Sequence, residues 1–387
     1  MKLHIFNPEN DLALADGGAN YCAPPAAMQI ARDLGSLPLW FAPGNDAVLL
    51  PDDFHNEYYQ DLSLVFNLAR PFSHSMKDDI DVFVPWGWSP QIKRRIMAMG
   101  FKESLLPAEN EIEDYRSLSN RRTAITVLGM LKECGIDTAE IPLYLTSEND
   151  VAAYVNASPR TVIKAPWSGS GKGVMWGLGR VEVPLENFYR GVIRRQGGVV
   201  CEQFLDSELE FAMEFIATEG CVSFAGYSLF ESVKGSYSGN VLAPDCEIEG
   251  IVSRYIQLEH LVDVRENLCR VLTSVLSASS YTGYLGVDMM IYRDADGCMR
   301  LNPCMEINLR MNMGVASRII YDRHVQCGKR GRFFVTFYKE KGEAFSEHVL
   351  NKERFPLKID GGRIVSGYLN LSPVTSGNRY SAYIIVE

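Results

Sequence analysis

Short apolar runs broken by dense polar turns open the chain. Residues 3–6 (Leu-His-Ile-Phe) predict a first strand, which runs straight into Asn7-Pro8-Glu9-Asn10-Asp11. A helix is expected after Pro24-Pro25, carrying Ala26, Met28, Ile30 and Ala31. Residues 37–41 (Leu-Pro-Leu-Trp-Phe) read as a second strand and residues 81–84 as a third, ending in Pro85-Trp86-Gly87-Trp88-Ser89. Ser89 is suited to cap a helix bearing Pro90, Ile92 and Met97, with Gly100 near its end. Strand and helix alternate, so residues 1–115 are expected to form a Rossmann-like α/β domain.

Residues 117–134 carry Ala124, Val127, Leu128 and Leu131 at helical spacing, with Gly135 as a C-terminal cap. Arg121 and Arg122 sit in the opening turn, where the helix dipole disfavours cations. They are read either as solvated or ion-paired side chains or as groups that meet an anion. Strand patterns follow at 141–144, 161–164, 174–177 and 199–205, with helices at 150–155 and 186–196. The strand at 199–205 runs into an acidic stretch, Asp206 to Glu210. Residues 211–216 and 222–228 predict antiparallel strands, 235–240 a small polar connecting loop, and 261–277 a helix. Residues 284–292 and 300–310 flank the turn Asp294-Ala295-Asp296-Gly297 as a hairpin. A helix-like piece and two strands, 363–371 and 380–386, close the chain.

Composition narrows the function classes. The net charge of −10 over 387 residues argues against a broad nucleic-acid footprint, yet leaves room for a local cluster of Lys and Arg around a nucleotide. The nine cysteines form no C-x-x-C and no zinc-type cluster with histidine, which suits a reducing cytoplasm. No apolar run approaches the ~20 residues of a membrane span.

Chemistry concentrates in two places. The first is Thr161 to Val174, a strand ending in Lys164 followed by Ser168-Gly169-Ser170-Gly171-Lys172-Gly173. Such a loop can turn several backbone N–H groups toward phosphate; the alternative is a surface hairpin. Gly171-Lys172 has Pro166 where the Walker pattern needs glycine and Gly173 where it needs a hydroxyl, and the Rossmann spacing also fails. The second place is the hairpin at 284–310. With period two, Glu306, Asn308 and Arg310 share one face, and Asp288 lies near Glu306 on the neighbouring strand. Two carboxylates and an amide oxygen suit Mg²⁺ or Mn²⁺, and an arginine beyond them suits a phosphoryl group; the alternative is the polar outer face of an ordinary hairpin. In the first domain, Asn7, Glu9, Asn10, Asp11, Trp86, Trp88 and Ser89 end two strands, as walls of a substrate pocket or as turn and cap residues.

In their order and spacing these pieces resemble the ATP-grasp superfamily over residues 117–315. The resemblance implies an α/β architecture, α+β overall. The α/β domain at 1–115 would precede a two-part ATP-grasp fold with antiparallel sheets at 116–203 and 204–335, and a β extension at 336–387. It implies that Lys164 meets the α and β phosphates and that Ser168 to Gly173 close over the nucleotide as a lid. Glu202, Gln203, Phe204 and Leu205 would hold adenine. Glu210, or Glu208 in its place, would hold the ribose. Asp288, Glu306 and Asn308 would hold Mg²⁺, and Arg310 would meet the γ phosphate or an acyl-phosphate. Many members carry a lysine where this chain has Arg121 or Arg122. Some peptide ligases carry an arginine two residues before the metal aspartate, where this chain has Gly286.

The resemblance further implies ATP-dependent activation of a small carboxylate as an acyl-phosphate, attacked by an amine. A small-molecule kinase on the same scaffold and an inactive nucleotide-binding protein remain open alternatives. A homodimer is expected because dimers are common in the superfamily.

Overall fold

A computed structural model describes residues 1–54, 56–169, 173–233 and 236–387. The first part of the chain runs β1 (Lys2–Ile5), α1 (Asn10–Asp16), α2 (Pro25–Asp33), α3 (Pro38–Phe41), β2 (Ala47–Leu49), α4 (Asn56–Phe66), β3 (Arg70–Pro71), β4 (Val82–Pro85) and α5 (Pro90–Ala98). Its sheet is parallel, in the order β3-β2-β1-β4. Ile5 pairs with Pro85, so the turns that follow β1 and β4 leave the sheet side by side. Ser89 caps α5, accepting from Ile92 N at 3.4 Å, and Pro90 takes the first helical position, where its missing N–H costs nothing.

Residues 37–41, expected as a strand, are instead the helix α3. All five are buried. A short run buried on every side carries no period, so strand and helix cannot be told apart in it. The second strand of the sheet is Ala47–Leu49.

The next segment contains α6 (Glu109–Leu118), α7 (Arg122–Glu133), β5 (Leu143–Leu145), α8 (Glu148–Ala157), β6 (Thr161–Lys164), β7 (Val174–Gly177), α9 (Val183–Gln196) and β8 (Val199–Gln203). The antiparallel sheet β5-β8-β6-β7 packs Ile163 and Cys201 against Val151, Val155, Leu185 and Tyr189 of the two helices α8 and α9. The β6–β7 loop closes through Ala165 N to Gly173 O at 2.8 Å. Gly173 has φ 74°, and a Cβ there would lie 2.7 Å from Ser168 Cβ, so glycine is required on both counts.

The chain continues with β9 (Asp206–Thr218), β10 (Cys221–Ser228), β11 (Phe230–Val233), β12 (Ser236–Leu242), α10 (Asp245–Val252), α11 (Leu258–Leu276), β13 (Gly283–Arg293) and β14 (Met299–Asn308). The sheet β10-β9-β13-β14 is antiparallel throughout. Phe211, Met213, Phe215, Leu285, Val287 and Met289 enter one core with α7 and α11. Alternation therefore sends Glu210, Glu214, Gly286, Asp288, Glu306 and Asn308 to the opposite face. Two expectations are corrected here. The acidic stretch 206–210 is the first part of β9, because its backbone pairs with β13 from Arg293 onward. Residues 236–240, expected as loop, lie in β12 and pair with β11 and β15 (Gly331–Phe337); Gly235 lies outside the described residues.

α12 (Met313–His324) precedes β15. It is followed by α13 (Glu343–Arg354), β16 (Lys358–Asp360), β17 (Arg363–Asn370) and β18 (Tyr380–Val386). β17 and β18 pair antiparallel and complete a six-stranded sheet, β11-β12-β15-β18-β17-β16. One core joins this sheet and α12 to the first part of the chain, with Trp40, Phe66 and Trp86 against Ala316, Ile320, Phe333 and Ile384. Trp40 Nε1 donates to Leu371 O at 2.8 Å.

Candidate active site

Asp288 stands directly opposite Glu306 in the β13–β14 register, and Gly286 opposite Asn308. A bulge after this pair shifts the register by two residues, so that Met290 faces Asn302. Asn308 Nδ2 donates to Asp288 Oδ2 at 3.1 Å, and its Oδ1 accepts from Arg310 at 2.9 Å. Burial, and next the charge of Glu306, push the Asp288 carboxyl up to about 7. Two carboxylates paired across the strands, with the Asn308 amide against one of them, form a set that a divalent cation relieves. Among the described residues no three His, Cys, Asp or Glu side chains converge as a metal set. A cation here would complete its shell with Asn308, water and phosphate oxygens, which is the habit of Mg²⁺.

Arg121 joins this hairpin to the glycine loop. It is the N-terminal flanking residue of α7 and is buried at 6% exposure. One terminal nitrogen donates to Ala165 O at 2.5 Å and Ser168 Oγ at 2.6 Å; the other reaches Glu306 Oε2 at 2.8 Å. Of the candidate loop residues, Ser168 is therefore tied to the hairpin through Arg121, and Gly173 packs against Ser168. Ser170, Gly171 and Lys172 lie outside the described residues.

Lys164, at the end of β6, forms an ion pair with Glu202 of β8. Val162 faces Glu202 across the strands, which puts Lys164 two residues along on the same side. Glu202, Gln203 and Leu205 line a narrow crevice with Ala139, Pro142 and Asn302. Phe204 lies under the Arg160 guanidinium, 3.5 Å from its ring centre. Glu210 pairs in register with Met290 on the polar face, and its charge reaches Asp288. Glu208 is held by Arg293 at 2.6 Å on the outside.

The first-domain candidates divide. Asn7 is fully buried, with Nδ2 donating to Gly87 O at 2.8 Å. The Asn10 amide nitrogen faces the carbonyls of Gly87 and Trp88 at 2.9 and 3.2 Å. Glu9 is buried, which raises its carboxyl, and one of its oxygens has no partner among the described residues. Trp86 packs on Phe6 and Phe41, and Trp88 is half-buried against the first-domain core. Asn7, Asn10, Trp86 and Ser89 thus hold the two turns together. Asp11 alone reaches the hairpin. Arg310 donates from Nε to its Oδ1 at 2.7 Å and from a terminal nitrogen to its Oδ2 at 2.6 Å.

Sequence reasoning missed Glu214, which is 2% exposed. Its Oε2 accepts from Asn312 Nδ2 at 2.8 Å, and burial pushes its carboxyl up to about 8. The carboxyl fits between Gly286 and Gly314, where Cβ atoms would collide with it. The available signal was parity, since Glu214 follows Glu210 by four residues in one strand. A cavity of about 370 Å³ lies apart from these residues, between α2 and the turn before β18.

No protein-family model matches the chain, and no curated protein matches it. Solved structures do. N5-carboxyaminoimidazole synthetase from Staphylococcus aureus, complexed with ADP, superposes with a TM-score of 0.52 at 12% identity, covering 100% of this chain and 93% of that one. The corresponding ribonucleotide synthetase from Thermus thermophilus gives 0.51 at 12%, covering 100% and 94%. Biotin carboxylase from Campylobacter jejuni gives 0.50 at 10%, covering 100% and 87%. At these identities the likeness speaks for architecture, and the architecture of this chain is the ATP-grasp fold.

Proposed function

We propose that the chain is an ATP-dependent ligase that activates a small carboxylate as an acyl-phosphate for attack by an amine. The observation that carries the reading is the Asp288–Glu306 pair with Asn308 on one sheet face, and Arg310 just past the end of β14 bonded to Asn308, joined through Arg121 to the glycine loop. Two structures of the same fold support it, a synthetase with ADP and a biotin carboxylase with β,γ-ATP.

In this reading Glu202 and Leu205 hold adenine, and Lys164 leaves Glu202 for the α and β phosphates. Backbone N–H groups of the loop from Gly169 to Gly173 meet the terminal phosphates. Asp288, Glu306 and Asn308 would hold Mg²⁺, which supplies neutralisation of phosphate charge when bound. Arg310 faces the oxygens that gain charge as the carboxylate attacks. Phosphoryl transfer needs in-line positioning and charge neutralisation more than covalent help. No Ser or Cys nucleophile is required, and burial raises the Cys304 thiol beside Asp288 and Glu306 well out of the reactive range.

The test is ADP release from MgATP with pooled small carboxylates and amines, with hydroxylamine as trap. Hydroxamate formation is expected. A stable phosphorylated product would instead make the protein a kinase, and unchanged turnover in Glu306→Gln would remove the metal assignment.

A further inference from the structure

Arg310 and Asp11 are 299 positions apart and meet fork to fork. A guanidinium has five N–H donors. Asp11 takes two of them, through Nε and one terminal nitrogen. Asn308 Oδ1 takes a third at 2.9 Å, and Met311 O a fourth at 3.2 Å. Among the described residues one hydrogen is left without a partner, on the terminal nitrogen that bonds Met311 O. The backbone beside the pair is pinned as well, by Met311 N to Trp86 O at 2.9 Å. Both side chains keep some exposure, 15% for Arg310 and 21% for Asp11, so a ligand in the site can reach them.

Asp11 also touches the glycine loop. A Cβ built on Gly169 would collide with Asp11 Oδ2. The first glycine of the loop therefore rests on the carboxylate that grips Arg310. Resting on the ligase reading above, we propose that Asp11 is a positioning residue that aims the remaining N–H of Arg310 at the transferring phosphoryl group, with Gly169 kept bare so that its backbone can rest against the pair. Through Asp11, α1 sets the aim of a residue just past the end of β14.

The experiment compares wild type, Asp11→Asn, Gly169→Ala and the double variant by ADP release from MgATP with hydroxylamine as trap. Asp11→Asn keeps the shape but loses one acceptor and the charge. A misplacement of about 1 Å in a transfer site costs about 100-fold in rate. The expected result is a kcat lower by about that factor, with the KM for ATP within about threefold. Gly169→Ala presses on the same carboxylate from the other side without touching Arg310, so it should lower kcat likewise, and the double variant should lose little more than either single one. Because Gly169→Ala retains Asp11, it also covers the case in which Asp11→Asn folds poorly. Wild-type kcat in folded Asp11→Asn overturns the proposal and leaves the ligase reading standing, as do fully additive losses in the double variant. A wild-type protein that neither binds MgATP nor releases ADP overturns the ligase reading, and this proposal with it.

Discussion

Arg121→Met tests the join between the glycine loop and the carboxylate hairpin. The substitution keeps a linear apolar stem and removes every donor. Ala165 O and Ser168 Oγ then lose bonds of 2.5 and 2.6 Å, and Glu306 loses its cation at 2.8 Å. Breaking one side of a buried ion pair costs about 3–5 kcal/mol. Glu306 is 27% exposed and regains some water, so its share is reduced. The expected loss is about 3 kcal/mol, read as a lower midpoint in urea denaturation. Arg121→Lys keeps one charge but cannot fork, and should fall between Met and wild type. MgATP affinity, measured by calorimetry, should weaken in Arg121→Met, since Ser168 and Glu306 are no longer held together. A loss below about 1 kcal/mol with unchanged affinity would mean that the two halves of the site do not depend on Arg121.

Three further outcomes follow from the same geometry. Burial lowers His324 to about 4, with its Nε2 against Trp40 O at 2.8 Å, so between pH 6.5 and 4 the unfolded chain takes a proton that the native one refuses. Stability should fall on acidification through that window by about 3 kcal/mol in total, and a urea–pH series on His324→Gln that keeps the full slope would contradict this. Glu214 has the opposite sign. Its native carboxyl titrates at about 8 and its unfolded one near 4.5, so stability is lost as pH rises through that window; Glu214→Gln should flatten the alkaline side, and an unaltered profile would show that the carboxyl is ionised throughout. Chelation with EDTA should abolish ADP release, with recovery on adding Mg²⁺ or Mn²⁺; activity that survives chelation argues against Asp288, Glu306 and Asn308 as a metal set.

The parts of the site that follow strand parity were legible in the sequence. Asp288 opposite Glu306 needed only a hairpin and period two, and the register has them directly paired. Lys164 at a strand end and Ser89 as a cap were likewise local signals. Glu214 obeyed the same parity but sat in a run, Phe211 to Ile216, whose apolar majority reads as plain core. Residues 37–41 gave no period because every side is buried. Asp11 with Arg310, and Arg121 with Glu306, join positions separated by 299 and 185 residues. No local pattern encodes such pairs, because they are set by the packing of whole domains.

Those long-range pairs also bear on how the site accepts a nucleotide. The described residues offer it three cations, and each already has a carboxylate: Lys164 has Glu202, Arg121 has Glu306 and Arg310 has Asp11. Glu210 is left over on the same face, beside Asp288 and Glu214, whose carboxyls are raised to about 7 and about 8. The site is thus net acidic before any phosphate arrives. Free ATP would add negative charge to negative charge, at a place where partial burial weakens screening. A metal-bearing nucleotide reverses the balance, because the same carboxylates that oppose phosphate attract the cation. In the proposed reading the phosphates would then compete for Lys164 and Arg121 as Glu202 and Glu306 turn to adenine and metal. Arg310 differs from these two, since its carboxylate comes from α1, 299 positions away, and grips it bidentately. In the proposed reading it is the one cation of the three whose partner has no competing role toward the nucleotide, and so the one that would stay aimed while the others exchange partners.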